Sequence, residues 1–129
     1  MNPDDEQRHA HDIALRVFAV VSTKWALRVL EEIDSGRHRF RELHRAVQGI
    51  SFKMLTQTLR DLENHGLITR FDHHTPNPHV DYTLTTPGTE LLTTVHTLCT
   101  WSRTHLDHLL ATPAHRPEPT DQPDVIGPR

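Results

Sequence analysis

Between Gly49 and Arg70 the chain sets cationic, amide and hydroxyl side chains at helical spacing, opposite an aliphatic stripe. Leu55, Leu59 and Leu62 recur at i, i+4 and i+7, the spacing of a buried helix face. Lys53, Thr56, Gln57, Arg60 and Asn64 fall on the other side. That outer set has a definite chemistry: Lys and Arg meet phosphates, while amide and hydroxyl groups hydrogen-bond the edges of bases. Ser51 stands where its hydroxyl caps the helix, and the backbone N–H groups of the first turn attract an anion. An ordinary surface helix with a solvated face has the same pattern, so the flanking segments decide between the two.

Those segments read as elements that hold this helix in place. Ile13, Val17, Val20 and Val21 mark a first helix. Ser22 or Thr23 is expected to cap a second, beginning near Lys24-Trp25, with Trp25, Val29 and Ile33 as its inner row and Gly36 as its stop. After the basic turn Arg37-His38-Arg39, the residues Phe40, Leu43 and Val47 predict a short third helix ending at Gly49. The fourth is the helix already described, with Gly66 as a left-handed terminator and Leu67 folding back onto Leu62. The period then changes to two: Leu67, Thr69 and Phe71 alternate with Ile68, Arg70 and Asp72, and Val80, Tyr82 and Leu84 alternate with Asp81 and Thr83. Thr86 is expected to cap a last helix with Pro87 at its first position, its apolar stripe running through Leu91, Val95, Leu98, Trp101, His105 and Leu109. The expected fold is mainly α with a small two-stranded β wing, a winged helix-turn-helix with N- and C-terminal dimerisation helices. Residues 1–11 are expected as a flexible acidic start, 12–111 as the domain and 112–129 as a Pro-rich disordered tail.

Composition bounds the rest. With 35% hydrophobic and only 5% aromatic residues in a 129-residue chain, the core must be aliphatic and modest. No apolar run approaches the roughly 20 residues of a membrane helix, and the acidic start Met1-Asn2-Pro3-Asp4-Asp5-Glu6 is unlike a signal peptide. A cytoplasmic protein with no membrane partner is expected. The single cysteine, Cys99, excludes an internal disulfide and is expected as a small buried apolar residue. The formal net charge is −3, but it is segregated. Seven Arg or Lys face three acidic residues between Arg37 and Arg70, whereas four acidic residues face Arg8 alone between Met1 and Asp12. A local basic surface suffices to hold a phosphate backbone, because salt screens distant charge. There is no Gly-x-Ser-x-Gly, no His-Glu-x-x-His and no glycine-rich phosphate loop, so neither an enzyme nor a cofactor is expected. A winged helix used only for protein contact would show fewer charges and more aromatics on that outer face.

With this element order in hand, the chain resembles the HxlR family of bacterial transcriptional regulators over roughly Phe18 to Ser102. The matching residues are Lys24-Trp25, Leu30, Gly36, Arg39-Phe40, Glu42-Leu43, Gly49-Ile50-Ser51, Lys53-Met54-Leu55, Leu59, Leu62-Glu63 and Gly66-Leu67. They continue with Arg70, Pro78, Val80, Tyr82, Leu84-Thr85, Gly88, Leu98 and Trp101. Arg-Phe-x-Glu-Leu by itself would be a weak signal; the ordered series is a strong one. The resemblance implies a homodimer built on the first and last helices. It also implies that the fourth helix enters the major groove of double-stranded DNA and that the wing lies along the flanking backbone or minor groove. Members that sense electrophiles or oxidants carry a cysteine near the first helix, yet Asp12-Ile13-Ala14-Leu15-Arg16-Val17-Phe18 contains no thiol. Ser22-Thr23 also stands where glycine is frequent in the family.

The expected DNA-contacting residues are Arg37, Arg39, Arg41, Ser51, Lys53, Thr56, Gln57, Arg60 and the wing-tip residues His74, Asn77 and His79. Gln57 suits adenine, Arg60 guanine or phosphate, and the three arginines near the turn suit phosphates. Phe18, Val21, Trp25, Leu98, Trp101 and Ser102 are expected to line a cleft for an apolar or aromatic small-molecule effector. Among twelve histidines, His105 and His108 flank Asp107 at i, i+3, and His9 and His11 lie near the start; no metal site is assigned to them.

Overall fold

The computed structural model describes residues 1–74, 76 and 79–116, and its first helix, α1 (Pro3–Val21), begins almost at the chain start. Residues 3–11, expected as part of a flexible acidic start, thus lie within this helix. The Asn2 side chain accepts the Asp5 N–H at 2.9 Å, Pro3 takes the first helical position, and Asp4, Asp5 and Glu6 oppose the positive end of the helix dipole. Ser22 and Thr23 do not cap the next helix. Their hydroxyls donate backward, to Ala19 O at 3.2 Å and Val20 O at 2.8 Å, and close α1. Helix α2 (Ala26–Asp34) follows Trp25 with no side-chain cap. It ends as predicted at Gly36, φ +112°, where the Gly36 and Arg37 N–H groups reach Ile33 O and Glu32 O, both at 3.1 Å.

Helix α3 (Phe40–Ala46) opens with the Glu42 carboxylate accepting the His38 and Arg39 N–H groups at 3.1 and 3.3 Å. Those two backbone donors, Arg39 first, hold the Glu42 carboxyl below its usual pKa. Helix α4 (Phe52–Asn64) is capped by Ser51, whose Oγ accepts the Met54 N–H at 3.0 Å. Its end matches the sequence expectation in detail. Gly66 takes φ +76°, its N–H donates to Glu63 O at 3.0 Å, and the Leu67 N–H donates to Leu62 O at 3.0 Å. Val29, Leu30, Ile33, Leu43, Val47, Leu55 and Leu62 are fully buried and form the centre of the core.

Strands β1 (Ile68–His73) and β2 (His79–Leu84) pair antiparallel, with Ile68 opposite Leu84 and His73 opposite His79. One face therefore carries Ile68, Arg70 and Asp72 with Val80, Tyr82 and Leu84; the other carries Thr69, Phe71 and His73 with His79, Asp81 and Thr83. The sequence grouped Leu67, Thr69 and Phe71 on one face without saying which face is inward. Leu67 is spent on the helix stop, so the inward row starts at Ile68 and Phe71 points out, 58% exposed. The Tyr82 N–H donates to His38 O at 2.8 Å, and Arg39 bridges Asp81, so residues 38–39 lie along the free edge of β2.

Helix α5 (Thr86–Thr104) is capped one residue earlier than expected. The Thr85 Oγ1 accepts the Gly88 N–H at 3.0 Å and donates to Gly66 O at 2.7 Å. The expected continuous last helix breaks at His105, φ −108° and ψ 21°, before α6 (Leu106–Ala111) and a 3-10 turn, Pro113–His115. Cys99 is exposed rather than buried. Of the expected 112–129 tail, residues 117–129 lie outside the described residues. The chain divides into two compact units, Met1–Thr93 and Thr94–Arg129, where a single domain was expected. Among the described residues no helix is long and apolar enough to cross a membrane.

Gly88 is placed by space rather than by conformation: a Cβ there would overlap the Leu67 carbonyl oxygen. Alanine is the better helix former by about 1 kcal/mol, so propensity alone predicts that Gly88→Ala stabilises. The overlap reverses the sign, and the variant is expected to lose about 1–3 kcal/mol in urea denaturation. An unchanged or raised midpoint would show that α5 does not sit tightly on the Leu67 peptide.

Candidate nucleic-acid interface

The α4 helix is amphipathic as its spacing requires. Leu55, Thr58, Leu59 and Leu62 are buried, and Lys53, Thr56, Gln57 and Arg60 are exposed. Two of the four outer side chains are held by the helix itself. The Thr56 hydroxyl donates to Phe52 O at 2.9 Å, and the Gln57 amide nitrogen donates to Asp61 Oδ1 at 2.9 Å. The Gln57 amide is thus oriented by its own helix, on the same outer face as Arg60 and about one turn before it. The outer face borders two hollows. Thr56 and Arg60 flank a cleft of about 230 Å³ shared with Phe40 of α3 and with Arg70 and Tyr82 of the wing. Met54, Gln57 and Asp61 border a more apolar cavity of about 450 Å³ with Val20, Trp25 and Ala26.

The cations fall into two groups. Arg37 pairs with Glu32 at 3.4 Å and donates to Ser35 Oγ at 3.1 Å, and Arg39 lies 3.7 Å from Asp81. Arg41, Lys53 and Arg60 are exposed and form no ion pair with any described residue. Ser51 serves as the cap and is itself exposed, at the start of α4. The sequence missed what fixes that start. Phe52, at the first helical position, stacks on His44 at 4.0 Å and on Phe40 at 5.9 Å, tying α3 to the N-terminus of α4. The signal was available as an aromatic residue just after the cap, with two rings on the preceding helix.

On the wing, His74 is exposed and Asn77 lies outside the described residues. His79 does not stand as an isolated tip contact. It stacks on His73 at 4.2 Å, and His73 is 2.7 Å from Asp81. That hydrogen bond is the main cause holding the Asp81 carboxyl below its ordinary pKa, against the opposing effect of burial and with lesser help from the charges of His73, His79 and Arg39.

The expected effector residues divide between the two units. In the first, Phe18 is exposed, Val21 buried and Trp25 half-buried, with the Lys24 ammonium 4.8 Å above the Trp25 ring. Only Trp25 of these borders the 450 Å³ cavity. In the second, Leu98 and Trp101 are exposed, and the half-buried Ser102 donates its hydroxyl to Leu98 O at 3.2 Å.

Comparison with known proteins agrees with this architecture. Residues 20–109 match the family model described as HxlR-like helix-turn-helix. The chain is 36% identical over 91 residues to the uncharacterized HTH-type transcriptional regulator YtfH of Escherichia coli (strain K12), covering 70% of this chain and 72% of the relative. A crystal structure described as a MarR-family transcriptional regulator, from Enterococcus faecalis V583, superposes with TM-score 0.68 at 34% identity, covering 77% of this chain and 89% of that one. Diamide-treated YodB from B. subtilis superposes with TM-score 0.64 at 26% identity, covering 81% of this chain and 94% of that one. The chain is a winged helix-turn-helix transcriptional regulator and belongs to the HxlR-like helix-turn-helix family.

Proposed function

We propose that the protein binds an inverted-repeat operator as a homodimer, with α4 in the major groove and the β1–β2 wing along the flanking backbone. The observation that carries this reading is the outer face of α4. It presents Lys53 and Arg60, neither committed to an ion pair with a described residue, beside an amide already oriented by Asp61, on a helix whose other side is core. Lys53 and Ser51 at the helix start suit a phosphate, where the N–H groups and the dipole add to the cation. Gln57 and Arg60 suit base edges. Arg41 suits the backbone directly. Arg37 and Arg39 are held by exposed ion pairs worth only about 0–1 kcal/mol, which a phosphate can displace. His74, His79 and Asn77 are proposed as wing contacts of the same sequence-independent kind.

Two exposed apolar faces support the dimer. Helix α1 exposes Ile13, Leu15 and Phe18, and α5 with α6 exposes Leu98, Trp101, Leu106 and Leu110. Surfaces of this kind mark association sites, and a two-fold dimer would set the recognition helices about 34 Å apart, one turn of DNA. An apolar effector is proposed for the cavity beside Trp25, whose volume is in the range of small-molecule sites. Since Met54 and Gln57 border it, an occupant there touches α4 directly. It regulates only if it favours one geometry of that helix over another.

The double variant Gln57→Ala/Arg60→Ala tests the reading. Each base contact carries about 1–3 kcal/mol, so operator affinity should fall at least about tenfold while affinity for random duplex falls much less. Retention of full operator affinity, with the helical circular-dichroism signal intact, would reject α4 as the reading element. The dimer is tested separately: Phe18→Glu puts a charge on the exposed apolar face of α1, and sedimentation should show a shift from dimer to monomer. A variant that sediments like the parent would remove that face from the interface.

A further inference from the structure

We propose that His73, His79 and Asp81 form a divalent-metal site at the end of the wing, one that takes Zn²⁺ through two imidazole nitrogens and one carboxylate oxygen. The register brings the three together. His73 and His79 are the last cross-strand pair of the ribbon, and Asp81 is two residues along β2 from His79, so all three project from one face. Their donor atoms lie within 4.8 Å of one another. Zn²⁺ with ligands at about 2.0–2.1 Å needs donors roughly 3.3 Å apart in a tetrahedron, so small side-chain rotations close the set. The fourth position is open to water.

The surroundings fit a built site. Asp81 Oδ2 already faces both rings, at 2.7 Å from His73 Nε2 and 4.0 Å from His79 Nε2. Its other oxygen, Oδ1, faces the Arg39 guanidinium at 3.7 Å. Arg39 thus stands on the Oδ1 side of the carboxylate, while Oδ2 faces the two rings, as carboxylate ligands commonly have an outer partner. Phe71 and His73 meet in an edge-type contact with ring centroids 4.6 Å apart. All three ligand side chains are about one-third exposed, accessible to an ion yet ordered by neighbours. A metal would take the place of the His73–Asp81 hydrogen bond and tie the two strand ends together. The donor set, nitrogen and oxygen with no thiolate, suits Zn²⁺ and excludes a cysteine-type site. Nothing in this proposal depends on α4 contacting DNA.

The test is a Zn²⁺ titration of the metal-free full-length chain against a fluorescent chelator, with thermal unfolding as a second readout. One equivalent per chain at micromolar or tighter affinity is expected, together with a Zn²⁺-dependent rise in Tm. His73→Gln and Asp81→Asn should each weaken binding at least about tenfold and abolish the rise in Tm. The double variant His105→Gln/His108→Gln should bind as the parent does, since those residues lie on another element. Parent-like Zn²⁺ binding in the wing variants, loss of binding in the His105/His108 variant, or no micromolar binding by the parent would each overturn the site.

Discussion

The peptide of Leu67 is the point on which the first unit depends. Its N–H closes α4 by donating to Leu62 O, its carbonyl accepts the Thr85 N–H at the base of β2, and Gly88 at the start of α5 has no room for a Cβ beside that carbonyl. One residue earlier, Gly66 supplies the left-handed turn, and its carbonyl accepts the Thr85 hydroxyl. The end of α4, the root of the wing and the start of α5 are therefore joined through two consecutive peptide units. Such a joint transmits position: few backbone bonds separate α4 from the wing, so their relative placement is set by these two peptide units. The buried Leu62 and Leu67 side chains complete it.

At the other end of α4 the constraint is aromatic. Phe52 stacks on His44 and Phe40, which sets the entry of the helix while Ser51 caps its first turn. The helix is thus fixed at both ends and along its inner face; of its outer side chains, Thr56 is held by Phe52 O and Gln57 by Asp61. The basic residues divide in a way that follows from this. Arg37 and Arg39 serve the architecture around α2, α3 and β2, whereas Arg41, Lys53 and Arg60 project from the helices themselves. A chain of formal charge −3 can present such a surface because its acidic residues are concentrated elsewhere, notably in the first turn of α1, where they cap a helix.

Much of this was legible in the sequence where the signal is local. The Ser51 cap, the Gly36 and Gly66 stops and the Leu55/Leu59/Leu62 stripe depend on residues within a turn or two of each other, and spacing fixes them. What was misplaced depends on which residue wins a shared role. Asn2-Pro3 starts a helix within the segment expected as a flexible acidic start; Thr85 rather than Thr86 caps α5 and also reaches Gly66; Ser22 and Thr23 turn back to α1. The strand alternation matches the sequence reading; what alternation alone leaves open is which row faces the core, and the structure gives that role to the row of Ile68 and Tyr82, with Phe71 on the other. The His73, His79 and Asp81 cluster escaped the sequence because it depends on the cross-strand pairing of His73 with His79, which alternation within each strand does not give. The exposure of Cys99 and the break at His105 depend on packing that a continuous apolar stripe does not report.

The central claim is that this face reads a specific duplex. Fluorescence-anisotropy titration of the purified protein with the DNA just upstream of its own gene, beside a scrambled duplex and across a salt series, tests it most directly. The account predicts tight binding to the native duplex alone, weakening steeply and log-linearly with salt as phosphate contacts release counterions. No binding to either duplex at low salt would contradict it.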